Sequence, residues 1–184
     1  KTGGDEKWIN SYEGKVRCVT DGFIVAQSSD FFSVLYAENG MESWSYPRAG
    51  TTFLNCQETL ALAAFTVKNL EEDVDETEDV TEYFDKVYIF DVASSEKIFD
   101  YRSSEGKRVL NITGFMTDRF HIALENRLEK YNEITVKKFS TTNFEEEIGY
   151  VFSHDLTNDE IYVSFVHSDI NYAVIRVTEI TDPS

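Results

Sequence analysis

The stretch Ser33–Gly50, SVLYAENGMESWSYPRAG, sets an apolar run, Val34-Leu35-Tyr36, against Asn39-Gly40 and then a second run carrying Trp44 and Tyr46. Asn-Gly between two strand-like runs predicts a β-hairpin, because a type I′ turn requires φ > 0 at both central residues. The pattern returns from Lys86, where KVYIFDVASSEKIFDY again places two apolar runs around a polar turn.

Working outward, four longer segments align: KVRCVTDGFIVAQ from Lys15, TFLNCQETLALAA from Thr52, VLNITGFMTDRFHIAL from Val109 and GYVFSHDLTNDEIYVSF from Gly149. Each is a strand-like run, a polar turn and a second apolar run. Three are followed by a further apolar pair: SVLYA with MESWSY, KVYIFDV with KIFDY, and RLEKY with ITVKKF; the fourth has only YAVIRV. Cys18 to Cys56, Ile112 to Ser153 and, once an acidic insertion is removed, Cys56 to Ile112 each span about 40 residues. That period, with four short strands per repeat and turns rich in Asp, Asn, Ser and Gly, predicts an all-β chain. The expected architecture is a β-propeller-type repeat of about four blades of four antiparallel strands. The alternative is a β-sandwich or barrel.

In the propeller reading, residues 1–184 form a single propeller or a propeller portion, with the acidic insertion at 69–85. Strands a to d run outward from the axis. FIVA, LALAAF, FHIAL and IYVSF are then second strands, apolar on both faces because neighbouring blades cover both. Trp44, Phe99, Tyr101 and Phe139 fall on outer strands, where aromatics act in packing. KWINSYEGKV matches the segments that join an outer strand to the next inner one, so the chain is expected to open with an outer strand that closes a ring. The ring is either a complete small one or part of a larger one. Starting at Lys1 with neither Met nor a hydrophobic leader, the chain reads as trimmed or processed.

KVYIFDVASSEKIFDY resembles the third and fourth strands of a WD-type repeat, in which an apolar run ending in Asp turns into the outer strand. SVLYAENGMESWSY is similar to quinoprotein-type propeller repeats, in which a polar-Gly turn is followed by Trp. The resemblance is at the level of the blade and implies no quinone cofactor.

A chain of 184 residues with 41% hydrophobic and 14% aromatic residues is long and apolar enough to bury a core. Two prolines, nine glycines and many β-branched and aromatic residues lean toward strands. A net charge of −17 speaks against direct nucleic-acid binding and anionic membranes, and favours a basic partner or plain solubility. No apolar run approaches the ~20 residues of a membrane-spanning helix. Cys18 and Cys56 fall at equivalent places on first strands of successive blades. Packed sheets lie ~10 Å apart, whereas bridged Cα atoms are ~4.4–6.8 Å apart, so both thiols are expected to be free and buried. Free thiols suggest a reducing compartment, cytoplasmic or nuclear, with a secreted or lumenal location as the other reading. Asn111-Ile112-Thr113 fits the glycosylation sequon, within a strand-like run.

No catalytic motif emerges. His121, His154 and His167 show no metal-ligand spacing with the cysteines, and neither HExxH nor CxxC is present. Ser153-His154-Asp155 and His167-Ser168-Asp169 name triad residue types, but triads assemble from distant positions. DVDETED alternates carboxylates without the central Gly or the spaced Glu of a calcium loop, so neither metal nor cofactor is expected. The remaining candidates are acids: Glu71, Glu72, Asp73, Asp75, Glu76, Glu78 and Asp79 in the insertion, and Glu145, Glu146 and Glu147 between repeats. The insertion joins the second and third strands of its blade, and the Glu triplet joins an outer strand to the next inner one. Those connections share a face in a propeller, so the two clusters are expected on one rim.

The resulting expectation is a non-catalytic protein–protein interaction module, a propeller scaffold or adaptor within a larger assembly, offering an acidic face to a protein with a basic segment. The alternative is an enzyme or small-ligand-binding propeller with its site at the central channel, built from Arg17, Asn55, Asn111, Thr113 and His154.

Overall fold

The computed structural model of the chain describes residues 14–69, 84–104, 106–113, 115–128, 132–154, 161–168 and 173–179. All regular structure in them is β-strand. The first sheet holds β1 (Lys15–Thr20), β2 (Phe23–Gln27), β3 (Phe31–Tyr36) and β4 (Glu42–Pro47). The second holds β5 (Thr51–Gln57), β6 (Leu62–Asn69), β7 (Phe84–Asp91) and β8 (Lys97–Arg102). The third holds β9 (Lys107–Thr113), β10 (Arg119–Arg127), β11 (Asn132–Ser140) and β12 (Glu146–His154). Finally, β13 (Ile161–Ser168) pairs with β14 (Ala173–Glu179). Each sheet is an antiparallel meander in chain order, and none closes into a barrel.

One hairpin loop recurs between the third and fourth strands of all three large sheets. Its four residues are Ala37–Gly40, 92–95 and 141–144, and its last residue has positive φ: Gly40 at 71°, Ser95 at 63° and Phe144 at 58°. The strand residue before it donates its N–H across the loop, Tyr36 to Met41 O (2.9 Å), Asp91 to Glu96 O (2.9 Å) and Ser140 to Glu145 O (3.1 Å). The third loop residue then accepts from the backbone two residues on: Asn39 Oδ1 from Met41 N, Ser94 Oγ from Glu96 N, and Asn143 Oδ1 from Glu145 N. The expected hairpin at Asn39-Gly40 therefore forms, but as a four-residue loop. Only Gly40 of that pair has positive φ, so the turn is not type I′.

This loop also corrects the third repeat. RLEKY was expected to be a strand of its own and GYVFSH to open a fourth blade. Instead β10 runs on to Arg127, Leu128 is 41% exposed just past its end, and GYVFSH belongs to β12, the outer strand of sheet three. Register decides it: Ile134 and Val136 are fully buried opposite Glu125 and Ala123, which needs β11 to pair directly with β10. IYVSF is accordingly β13, which lies against β9. The expected opening strand over KWINSYEGKV falls mostly outside the described residues.

Two seams hold the large sheets together. Between sheets one and two, Val25, Phe32 and Val34 meet Ala63, Phe65, Phe90 and Val92. Trp44 packs its ring on Phe90 and donates its indole N–H to Val92 O at 2.8 Å. Between sheets two and three, Leu62, Ala64, Val87, Ile89 and Phe99 meet Val109, Ile112, Phe120, Ile122, Leu124 and Phe139. Alternate residues of β6 feed opposite seams, Ala63 and Phe65 one and Leu62 and Ala64 the other, so the strand is apolar on both faces as expected.

The first strands lie in series, β1 beside β5 and β5 beside β9. Here the second expectation fails. Cys18 and Cys56 form a disulfide, with Cα atoms 6.4 Å apart. The ~10 Å spacing holds where large side chains interdigitate between sheets, but β1 and β5 sit at the narrow side of the seam. Where the two strands face each other, the meeting residues are two small cysteines rather than two bulky side chains.

Candidate functional site

In an antiparallel meander each strand reverses the chain, so alternate connections emerge at the same end. The connections β1–β2, β3–β4, β5–β6, β7–β8, β9–β10 and β11–β12 share one end, and hydrogen bonds tie neighbours together. Asp21 N donates to Glu58 O, Ala37 N to Gly22 O, Val92 N to Ala61 O, and Thr141 N to Asp118 O. Each of these turns carries one acid and no Lys or Arg: Asp21, Glu38, Glu58, Glu96, Asp118 and Glu145, all exposed. The other end of the strands carries both signs, with Lys68, Lys86, Arg102, Lys107 and Arg108 beside Asp30, Asp85, Glu125 and Glu133.

Glu145, Glu146 and Glu147 thus lie at the turn end, on the β11–β12 hairpin rather than in a link between repeats. Glu146 and Glu147 are paired across the hairpin with Lys137 (2.9 Å) and Lys138 (2.6 Å), and Glu145 accepts from Asn143 Nδ2 (2.7 Å). Burial alone would lower the Lys137 pKa, but the Glu146 hydrogen bond and the neighbouring Tyr101 hold it above its ordinary value. Glu71, Glu72, Asp73, Asp75, Glu76, Glu78 and Asp79 lie outside the described residues. Their flanks do not. Asp85, just past the insertion, accepts from Val109 N at 2.7 Å near the start of β9, the end opposite Glu145. The nine residues of β10 separate the two ends by about 30 Å at ~3.3 Å per residue. The described flanks of the insertion thus lie at the end opposite Glu145, whereas the expectation of a rim shared with the insertion acids falls outside the described residues.

Asp85 itself is a structural clamp. Its backbone exchanges hydrogen bonds with Ser103, through Oγ and N–H, while its carboxylate joins sheet two to sheet three. Burial raises its pKa, and the Val109 N–H, Lys68 and Arg108 offset that in part.

Of the candidates for a central channel, Arg17, Asn55, Asn111 and Thr113 lie on the neighbouring first strands β1, β5 and β9, and His154 lies apart from them. Arg17 bonds Gln27 on β2, Asn55 donates to Ile112 O (3.4 Å) and accepts from Cys56 N (2.8 Å), and Asn111 is 8% exposed within β9. His154 lies on β12, the strand of its sheet farthest from β9. Burial of Asn111 also makes the sequon incompatible with a glycan in the folded chain. Among the described residues, no group of His, Cys, Asp and Glu is placed to hold a metal ion.

The turn end also has a concavity that sequence reasoning missed. A shallow depression of about 400 Å³ lies between the β1–β2 and β5–β6 turns, lined by Val19, Thr20, Asp21, Glu58 and Thr59. The Cys18–Cys56 disulfide lies directly beneath it, two residues before Thr20 and before Glu58. The only signal in the sequence was that both turns follow a cysteine and begin with an acid.

Compared with known proteins, the chain matches no family model, no curated protein and no solved structure.

Proposed function

We propose that the chain is a non-catalytic interaction module, built as a propeller-type series of blades and offering an acidic face to a basic segment of a protein partner. The carrying observation is the row of connections along one end of the strands, each with one exposed acid and no cation among its own residues. An exposed, single-sign rim steers an oppositely charged partner and fixes its orientation without demanding a deep pocket. The propeller reading is supported by first strands lying in series, β1, β5, β9 and β13, with the later strands of each meander layered outward. A disulfide between neighbouring sheets favours an oxidising compartment, and removes the support that free thiols would have lent to a cytoplasmic or nuclear location.

The test is capture of partners from the native source, followed by association kinetics with the captured protein. A variant changed to amides at Glu38, Glu96, Asp118 and Glu145 should associate more slowly and with a flatter salt dependence, while dissociation changes little. Identical association at low salt would overturn the acidic-face reading.

A further inference from the structure

We infer that the outer edge of β12 receives an extended, cationic segment of a partner protein as an added antiparallel β-strand, with an aromatic side chain over Gly149. This surface is distinct from the acidic turns, and the inference does not depend on their binding a partner.

The outer strands of the three large sheets differ in how their edges are guarded. A strand edge presents unpaired N–H and C=O groups, and proteins blunt it with short strands, prolines and charges. β4 is six residues long and ends in Pro47. β8 is six residues long and carries Lys97, Asp100 and Arg102. β12 is nine residues long, and its charges, Glu146 and Glu147, sit at its start, where the register shifts. From Ile148 to His154 the pairing with β11 is unbroken, and β12 has no Pro, Asp, Glu, Lys or Arg there. Among the described residues no strand pairs with its other side. An edge of this kind is recognised by the backbone of another extended segment.

Gly149 stands in the middle of that edge and is exposed. Its φ is not positive, and a Cβ there would make only ordinary contacts, 3.6 Å from Glu146 Oε1 and 4.0 Å from Val136 O. Neither conformation nor space within the chain calls for glycine, which weakens a strand interior and often marks the close approach of another group. On a sheet edge, an aromatic side chain from the neighbouring strand covers such a glycine. Val151, 62% exposed on the same face, offers a cross-strand contact to a β-branched side chain. Charge selects the occupant. Glu146 Oε2 takes Lys137 at 2.9 Å, and Oε1 lies beside Gly149, placed to accept from a cation on the incoming strand. A second copy of this chain would instead bring another net charge of −17 against the same edge.

The experiment titrates the isotope-labelled chain with acetyl-Thr-Val-Thr-Phe-Thr-Lys-Thr-amide. In antiparallel register its Val, Phe and Lys share one face and meet Val151, Gly149 and Glu146. Amide shifts should centre on residues 146–153, and the same peptide N-methylated at every residue, which cannot pair through its backbone, should cause none. Replacing its Phe by Ala, or its Lys by norleucine, should weaken binding about threefold, the size of one cross-strand pair. Gly149→Val should weaken the peptide about threefold while holding or raising the melting temperature, because valine suits a strand better than glycine. A glycine that serves the fold alone would move stability and leave peptide affinity unchanged. No shift at millimolar peptide, equal binding of the N-methylated peptide, unchanged affinity in Gly149→Val, or a dimer of the chain joined through the same amides would overturn the assignment. The acidic-face reading is decided separately, by the association kinetics of the variant at Glu38, Glu96, Asp118 and Glu145.

Discussion

The seam between sheets one and two and the seam between sheets two and three draw on the same kinds of apolar side chain, yet they are locked differently. At the second seam the first strands add packing: Val109 and Ile112 on β9 and Leu54 on β5 join the cluster around Phe120. At the first seam β1 has little to add. Its outward residues are Lys15, Val16, Arg17 and Val19, all exposed, and only Cys18 and Thr20 turn inward. A covalent bridge stands there in place of aliphatic packing. A seam short of apolar surface on one strand can be closed by a cross-link, while a seam with full layers needs only hydrogen bonds such as Asp85 to Val109.

The largest test of this contrast removes the aromatic centre of each seam. Phe65 and Phe120 are both fully buried, and truncation of either to alanine should cost about 3–5 kcal/mol. Phe120→Ala should also divide the denaturant transition in two, with sheet three released first, whereas the disulfide should keep Phe65→Ala to a single transition. A single transition for both would mean that the seams melt together and are not independent locks.

Next in size is the bridge itself. The double variant Cys18→Ser/Cys56→Ser should lose about 2–4 kcal/mol by urea unfolding, the usual contribution of a bridge closing a loop of this length. Thiol counting on the denatured, unreduced wild type should find none. Two reactive thiols would remove the lock and restore the free-cysteine expectation.

The smallest effect concerns Asp85. Asp85→Ala strands the Val109 N–H and should cost about 1–3 kcal/mol. Asp85→Asn keeps an acceptor and should cost less at neutral pH. Because burial raises the Asp85 pKa in the fold, the native state holds its proton to higher pH than the unfolded chain does. Its contribution is thus most favourable below the ordinary aspartate range and is lost as pH rises through the folded pKa. The stability of wild type relative to Asp85→Asn should therefore fall as pH climbs out of that range. A difference independent of pH, or one that grows with pH, would show that the carboxylate is not desolvated at this seam.

The reading of the first two sheets from sequence succeeds because Asp21-Gly22, Asn39-Gly40 and Asp91 mark turns, and the runs between them alternate or are doubly buried as their positions require. The third sheet misleads because its equivalent loop, Thr141–Phe144, places Phe144 where Gly40 and Ser95 stand, a bulky apolar residue at positive φ that does not read as part of a turn. Two signals could have marked it: Asn143, matching Asn39 three positions before the next strand, and Ile134 and Val136, which belong on one face of a single strand.

By itself, then, the amino-acid sequence determined that this chain builds repeated antiparallel hairpins, where most of their strands lie, and that its surface is strongly acidic. These follow from local periodicity, turn chemistry and composition, which need no knowledge of what packs against what. Tertiary structure alone decided that Cys18 and Cys56 meet, because their distance depends on how closely two first strands approach at one side of a seam. It alone decided which end of the molecule each of the described acids occupies. Every strand of a meander reverses the chain, so one strand too many between Arg119 and Glu145 moves the Glu145–Glu147 cluster to the opposite end. Charge and composition are summed along the chain, but a face is a matter of strand parity, and parity is settled only when the pairings are.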